Sequence, residues 1–189
     1  MKCNQKSILK VIKKSRDRQN NKQKINLSRA DLSRTDFSDR NFYNANLNKA
    51  TLYGANLHTA NLSKVELQQA DLRNTNLIET QFIGANLTAA NMRGAIIRFA
   101  ELELACLADA NLANSDLSQS SLFGANLEGA VLNGAKLLNT DLQQANLENT
   151  RLHNVDFTQC RVEGTIFTNA KGLTTAQTLW LKENGALNI

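Results

Sequence analysis

A large apolar residue recurs at every fifth position from Leu27 to Phe167 without a slip, 29 times in 29. Nothing else in the chain restricts its fold as much, because an internal repeat decides the architecture before local propensities do. The series opens Leu27, Leu32, Phe37, Phe42, continues mostly as leucine, and closes Leu152, Phe157, Val162, Phe167. Two places before nearly every member stands a small residue, alanine in 16 of the 29 pentads and mostly Thr, Ser, Val or Cys in the rest. A small and a large apolar residue separated by one polar residue read as two inward side chains on a short extended segment, since strand side chains alternate faces. The residue between them is Asn or Asp 17 times and is expected to point outward. Of the two remaining positions, the second holds all seven glycines of the repeat region and seven asparagines, among them Gly54, Gly124, Asn44 and Asn74. Gly and Asn tolerate the positive φ that one central position of a type II turn demands. Each pentad is thus an extended side followed by a corner, and a chain that turns so often with leucine always inside must wind into a solenoid.

Period alone does not say how many sides make one turn. Ala-Asp-Leu-Ser-Arg at 30–34, Ala-Asn-Leu-Asn-Lys at 45–49 and Ala-Asn-Leu-Glu-Gly at 125–129 resemble the pentapeptide-repeat family, over roughly three quarters of the chain. The fold implied is an all-β solenoid, a right-handed quadrilateral β-helix with one pentad per side. On that resemblance 29 pentads make a little over seven coils, and at ~4.8 Å per coil the rod is roughly 35 Å long. The leucines then stack in ladders that fill the tube, leaving no room inside for a substrate or cofactor.

Three stretches follow: a basic arm at 1–24, the repeat region at 25–170, and a C-terminal cap at 171–189. The arm carries nine Lys or Arg against Asp17 alone, while residues 25–189 hold 13 basic and 16 acidic side chains, so the net charge of +5 belongs to the arm. Ile8, Leu9, Val11 and Ile12 fall on one side of a short helix and Lys6, Lys10, Lys13 and Lys14 on the other. The arm is expected either to cover the open first coil as a helical cap or to contact nucleic acid or an anionic membrane. At the other end Thr174 with Gln177 reads as a capping box and Gly185 as a helix stop. Leu179 with Trp180 or Leu181 is expected to lid the final coil. Arg40 stands at an inward small-residue position, so that either the side bulges to release it or it lies at the frayed first coil. No apolar run approaches the ~18 residues of a membrane-spanning helix, and no uninterrupted apolar segment follows the N-terminus as in a secretory signal. Cys3, Cys106 and Cys160 lack metal-ligand spacing, which fits a reduced, cytoplasmic setting with no metal and no cofactor.

Catalysis needs convergent titratable groups in a concave site. His58 and His153 lie nearly five coils apart on a four-sided reading, and carboxylates such as Glu101 and Glu103 sit on flat outer faces, so no enzyme is expected. What remains is the outside. Stacking puts Tyr53, Arg73 and Arg93 in one column as a basic strip. Ile78, Ile83, Ile96, Phe99, Leu104 and Phe123 form a candidate protein-interaction patch on two adjoining sides. The first functional expectation is a non-enzymatic interaction scaffold whose partner is another protein or a second copy of the chain. Repeat proteins of this uninterrupted kind resemble those abundant in cyanobacteria, which implies a regulatory role. The second, implied by family members that bind type II topoisomerases, is mimicry of duplex DNA. It requires strongly acidic faces, and here Arg73, Arg93, Arg98, Lys136, Arg151 and Arg161 interrupt the acids. Binding of nucleic acid or anionic membrane through residues 1–24 ranks third.

Overall fold

The computed structural model of the protein describes residues 24–189. The basic arm with Ile8, Leu9, Val11 and Ile12, and the N-terminal helical cap expected of it, lie outside the described residues apart from Lys24.

The corner is the elementary unit. At nearly every corner the carbonyl of the core residue accepts a hydrogen bond from the N–H three residues on, as from Ala30 to Leu27 at 3.0 Å and from Ala90 to Leu87 at 2.9 Å, which closes a four-residue turn. At 28 of the 29 corners the third turn residue has a φ between 52° and 71°, the exception being Gln159. That is the conformation a type II turn requires of its third residue.

The Asn and Asp side chains do not simply face water. At all 17 positions the side-chain Oδ1 folds back and accepts the backbone N–H two residues later. The corner amide, which the turn itself leaves unpaired, is satisfied by the residue that precedes the core position. Inward hydroxyls are satisfied in the same economical way: Thr80 and Thr140 donate to the carbonyls of Leu57 and Leu117 at 2.8 and 2.9 Å.

Corners then stack. Parallel bridges join residues 20 apart in four ladders that begin at Asn26, Asp31, Asp36 and Asn41, so one coil holds four pentads. Within the repeat region every pentad but that of Asp156 contributes a single bridging residue, so the extended sides do not lengthen into strands. A five-residue period leaves too few residues between corners for more. Core residues from Leu32 to Phe167 are buried, with the alanines packed between them. The Asp36 ladder stops at Lys136 and does not reach Asp156. There Val155, Phe157 and Cys160 stand over Ala135, Leu137 and Thr140 of the preceding coil, and the Cys160 thiol meets the Leu137 carbonyl at 3.2 Å. The core spacing survives, with Phe157 buried and packed edge-on against Phe167 at 5.6 Å.

At the first coil Leu27 retains 9% exposure and Ile25 is half-buried. Arg40 belongs to that coil and its side does not bulge: its N–H bonds the Phe37 carbonyl at 3.2 Å and its carbonyl accepts from Asn61 at 2.9 Å. The side chain is half-buried with Nε unpaired.

The last coil is covered by helix α1, Thr175–Glu183. Thr174 and Gln177 exchange both bonds of the capping box, at 3.2 and 2.9 Å, and Gly185 follows the C-cap at φ 83°. Leu181 is fully buried and Trp180 packs against the core, whereas Leu179 is 57% exposed. The expectation for Leu179 therefore fails, because the direction in which α1 crosses the coil turns that residue to solvent. After α1 the chain returns, and Leu187 bridges Ile166 in parallel, with Phe167 donating to the Leu187 carbonyl at 3.1 Å. This return strand extends the Asn26 ladder past the repeats and satisfies edge groups that a bare last coil would expose.

Candidate functional site

Among the described residues, a core filled with leucine leaves recognition to the outer columns. The two adjoining sides that carry the Asp36 and Asn41 ladders, with the corner that ends each, hold most of the exposed apolar residues among the described residues. Ile83, Ile96, Phe99 and Phe123 are exposed, and Leu104 is the most exposed of all at 67%. Ile78 is only half-buried, so it edges the patch rather than forming its surface.

Backbone bonds fix how these residues neighbour one another. The N–H of Gly84 donates to the Glu103 carbonyl at 2.9 Å and that of Leu104 to the Phe123 carbonyl at 3.0 Å, so Ile83, Glu103 and Phe123 succeed one another in adjacent coils. Phe99 and Leu104 are corner residues with φ of 58° and 56°. A bulky side chain in that conformation costs about 1–2 kcal/mol. Leu104 then lies across the next coil: a Cβ added to Gly124 would stand 2.9 Å from Leu104 Cδ2. Glycine at 124 therefore serves both the positive φ and the close approach. Arg98 stacks on Phe99, its Cζ 5.3 Å from the ring centroid. In the middle of the apolar column Glu103 Oε2 is buried and has no hydrogen-bond partner.

The basic strip is differently made. Tyr53, Arg73 and Arg93 do share one column, since Gly54 and Asn74 donate to the carbonyls of Arg73 and Arg93. Arg73, however, is already engaged: it forks onto Asp71 at 2.8 and 2.7 Å and its Cζ stands 5.6 Å from the Tyr53 ring centroid. That side-chain bond holds the Asp71 carboxyl below its ordinary range, against the opposing effect of desolvation. Arg34 lies on the other side of Tyr53 at 5.9 Å. The strip is a self-satisfied stack with Arg93 exposed at its end.

Besides Leu187 beyond the repeats, two exposed aromatic or aliphatic residues within them escaped the sequence reading. Leu138 belongs to the same column as Ile78 and Arg98, and Tyr43 packs under Lys64, whose Nζ is 5.8 Å from its ring centroid. Both occupy the first turn position, whose column was legible from the 20-residue spacing alone. Cys106 is half-buried beside Thr88 Oγ1 at 3.2 Å, and Cys160 is buried, its thiol pushed up to about 12 chiefly by that burial.

A family model for pentapeptide repeats matches the chain in eight copies, over residues 25–63, 60–98, 100–139 and 132–169. A search of curated protein sequences returns no match. Among solved structures the chain is similar to HetL, a pentapeptide-repeat protein involved in heterocyst differentiation regulation from the cyanobacterium Nostoc sp. strain PCC 7120. Identity to HetL is 25%, over 85% of this chain and 79% of that one, with a TM-score of 0.62. It is also similar in fold to a trypsin-treated form of QnrB1, a plasmid-mediated fluoroquinolone resistance protein, at 17% identity over 85% of this chain and 95% of that one, with a TM-score of 0.69.

Proposed function

We propose that this chain, which belongs to the pentapeptide-repeat family, is a non-enzymatic interaction scaffold that presents the patch of Ile83, Ile96, Phe99, Leu104 and Phe123 to another protein. The observation that carries the reading is the grouping of these exposed apolar residues on two adjoining sides within three coils, with Phe99 and Leu104 held in a costly corner conformation. Scattered exposed leucines need no explanation; a contiguous group on a rigid support marks an interface. The rod is right-handed and four-sided with about seven coils, a reading supported by the 20-residue bridges and the 29 pentads. Its setting is the reducing cytoplasm, in keeping with the free thiols of Cys106 and Cys160. The likeness to HetL favours a regulatory role.

Mimicry of duplex DNA ranks second. Arg93 is exposed on one face and Arg161, paired with Asp141 at 2.9 Å, stands on another, so these columns do not present the continuous acid that mimicry needs.

The test compares proteins cross-linked to the wild-type chain and to the Phe99→Asp, Phe123→Asp variant in extract of the source cell. A protein retained by the first and lost by the second, with fold unchanged by circular dichroism, is the expected outcome. Identical capture by both overturns the reading, and inhibition of topoisomerase supercoiling by the purified chain promotes the second.

A further inference from the structure

We infer that the patch takes a cationic partner: a protein segment whose apolar side chains flank a lysine or arginine that pairs with Glu103. The inference rests on the interaction reading above and names the chemistry of its partner.

Two features of the surface carry it. The first is Glu103 itself. It lies between Ile83 and Phe123 in one column, beside the highly exposed Leu104, and its Oε2 is buried without a hydrogen-bond partner. A carboxylate oxygen withdrawn from water and left unpaired is costly, and the cost is relieved when a cation arrives. The second is the charge of the surroundings. Across the two sides and three coils that hold the patch, residues 76–84, 96–104 and 116–124, there are four carboxylates (Glu79, Glu101, Glu103 and Asp116) against Arg98, a balance of −3. None of these five forms an ion pair among the described residues. Arg98 is turned onto the Phe99 ring.

That balance also decides between occupants. A second copy docking through the same patch would bring two surfaces of −3 together, and juxtaposed like charge opposes association. A neutral apolar segment would bury Phe99, Leu104 and Phe123 and leave Glu103 sealed and unpaired. A basic amphipathic segment answers both demands: it covers the apolar residues and brings a donor to Glu103.

The probe is a display library of peptides about 12 residues long, enough to span an interface patch of this kind, selected on the full-length chain and counter-selected on the Phe99→Asp, Phe123→Asp variant. Selected peptides are then measured by fluorescence anisotropy against wild type, Glu103→Gln and, as a control outside the two sides and three coils of the patch, Glu148→Gln. The expected result is enrichment of peptides with Lys or Arg between aromatic or aliphatic residues, bound about tenfold more weakly by Glu103→Gln and equally by Glu148→Gln. Peptides that depend on Phe99 and Phe123 yet lack cations, or that ignore Glu103→Gln, overturn the cationic partner and leave the patch standing as an interface. Peptides that bind wild type and the double variant alike overturn the patch itself. Glu103 makes no side-chain bond among the described residues, so its replacement by Gln leaves the fold intact, which an unchanged thermal midpoint verifies.

Discussion

The residue that does most for this fold after the core leucine is the Asn or Asp before it. Its side chain satisfies the one corner amide that neither the turn nor the neighbouring coil reaches, and it does so wherever it occurs. Asn61→Ala, which removes a 2.9 Å bond to the Ser63 N–H, should cost about 1 kcal/mol in denaturant unfolding. Ser121→Ala, in the same ladder without such a bond, should stay within about 0.5 kcal/mol. Asp71 does both this and pair with Arg73. Because its pKa is lowered from 3.8 in the fold, the pairing stabilises above the unfolded value and is lost as pH falls through the folded one. Asp71→Asn keeps an Oδ1 for the amide and removes the charge. The variant should therefore be less stable than wild type near neutral pH, by under about 1 kcal/mol since Arg73 is largely exposed, and the difference should close as the pH drops below 3.8.

At the scale of elements, the turn of five residues is self-contained while the C-terminal helix is not. The pentad holds its own turn bond and its own side-chain lock. Helix α1 holds its capping box, but what seats it is Leu181 at 0% exposure and Trp180 beside the core. Leu181→Ala should cost about 2–4 kcal/mol as a core truncation, and Leu179→Ala, at an exposed site, should fall within about 0.5 kcal/mol. Thermal melts of the two single variants separate them; equal losses would mean that α1 crosses the coil in another orientation. The sequence announced α1 through Thr174, Gln177 and Gly185 because caps are local. It did not announce the return of Leu187 to Ile166: Leu187 keeps the five-residue spacing of the core series, 20 residues after Phe167, yet it bridges Ile166, 21 residues back and one position out of register.

The whole molecule is a stack in which each coil meets only its neighbours, so stability is close to a sum over coils and interfaces. Removing residues 126–145 deletes 20 residues, one full coil, and brings Cys106, Asn111 and Ser121 into step with Asn146, Arg151 and Arg161, so the Asn26, Asp31 and Asn41 ladders can re-form. That variant should fold cooperatively with reduced stability, whereas removing 126–128 throws the later leucines out of register with the corners and should abolish the cooperative transition in circular dichroism melts. The same geometry fills the axis with core side chains, so the proposed recognition rests on outer columns such as that of Ile83, Glu103 and Phe123.

The five-residue period, the inward leucine, the positive-φ corners and the capped helix were determined by the sequence alone, because each is closed by interactions within a few residues. The step of 20 residues came to the sequence only through family resemblance; in the structure it is drawn by the bridges themselves. Which residue of α1 faces the core, the break of the Asp36 ladder at Lys136, the half-burial of Ile78 against the exposure of Leu104, and the sealed oxygen of Glu103 were decided by tertiary structure. Each of those depends on what the next coil presents 20 residues away, and a residue's identity does not reveal the volume or charge of a neighbour that only folding brings beside it.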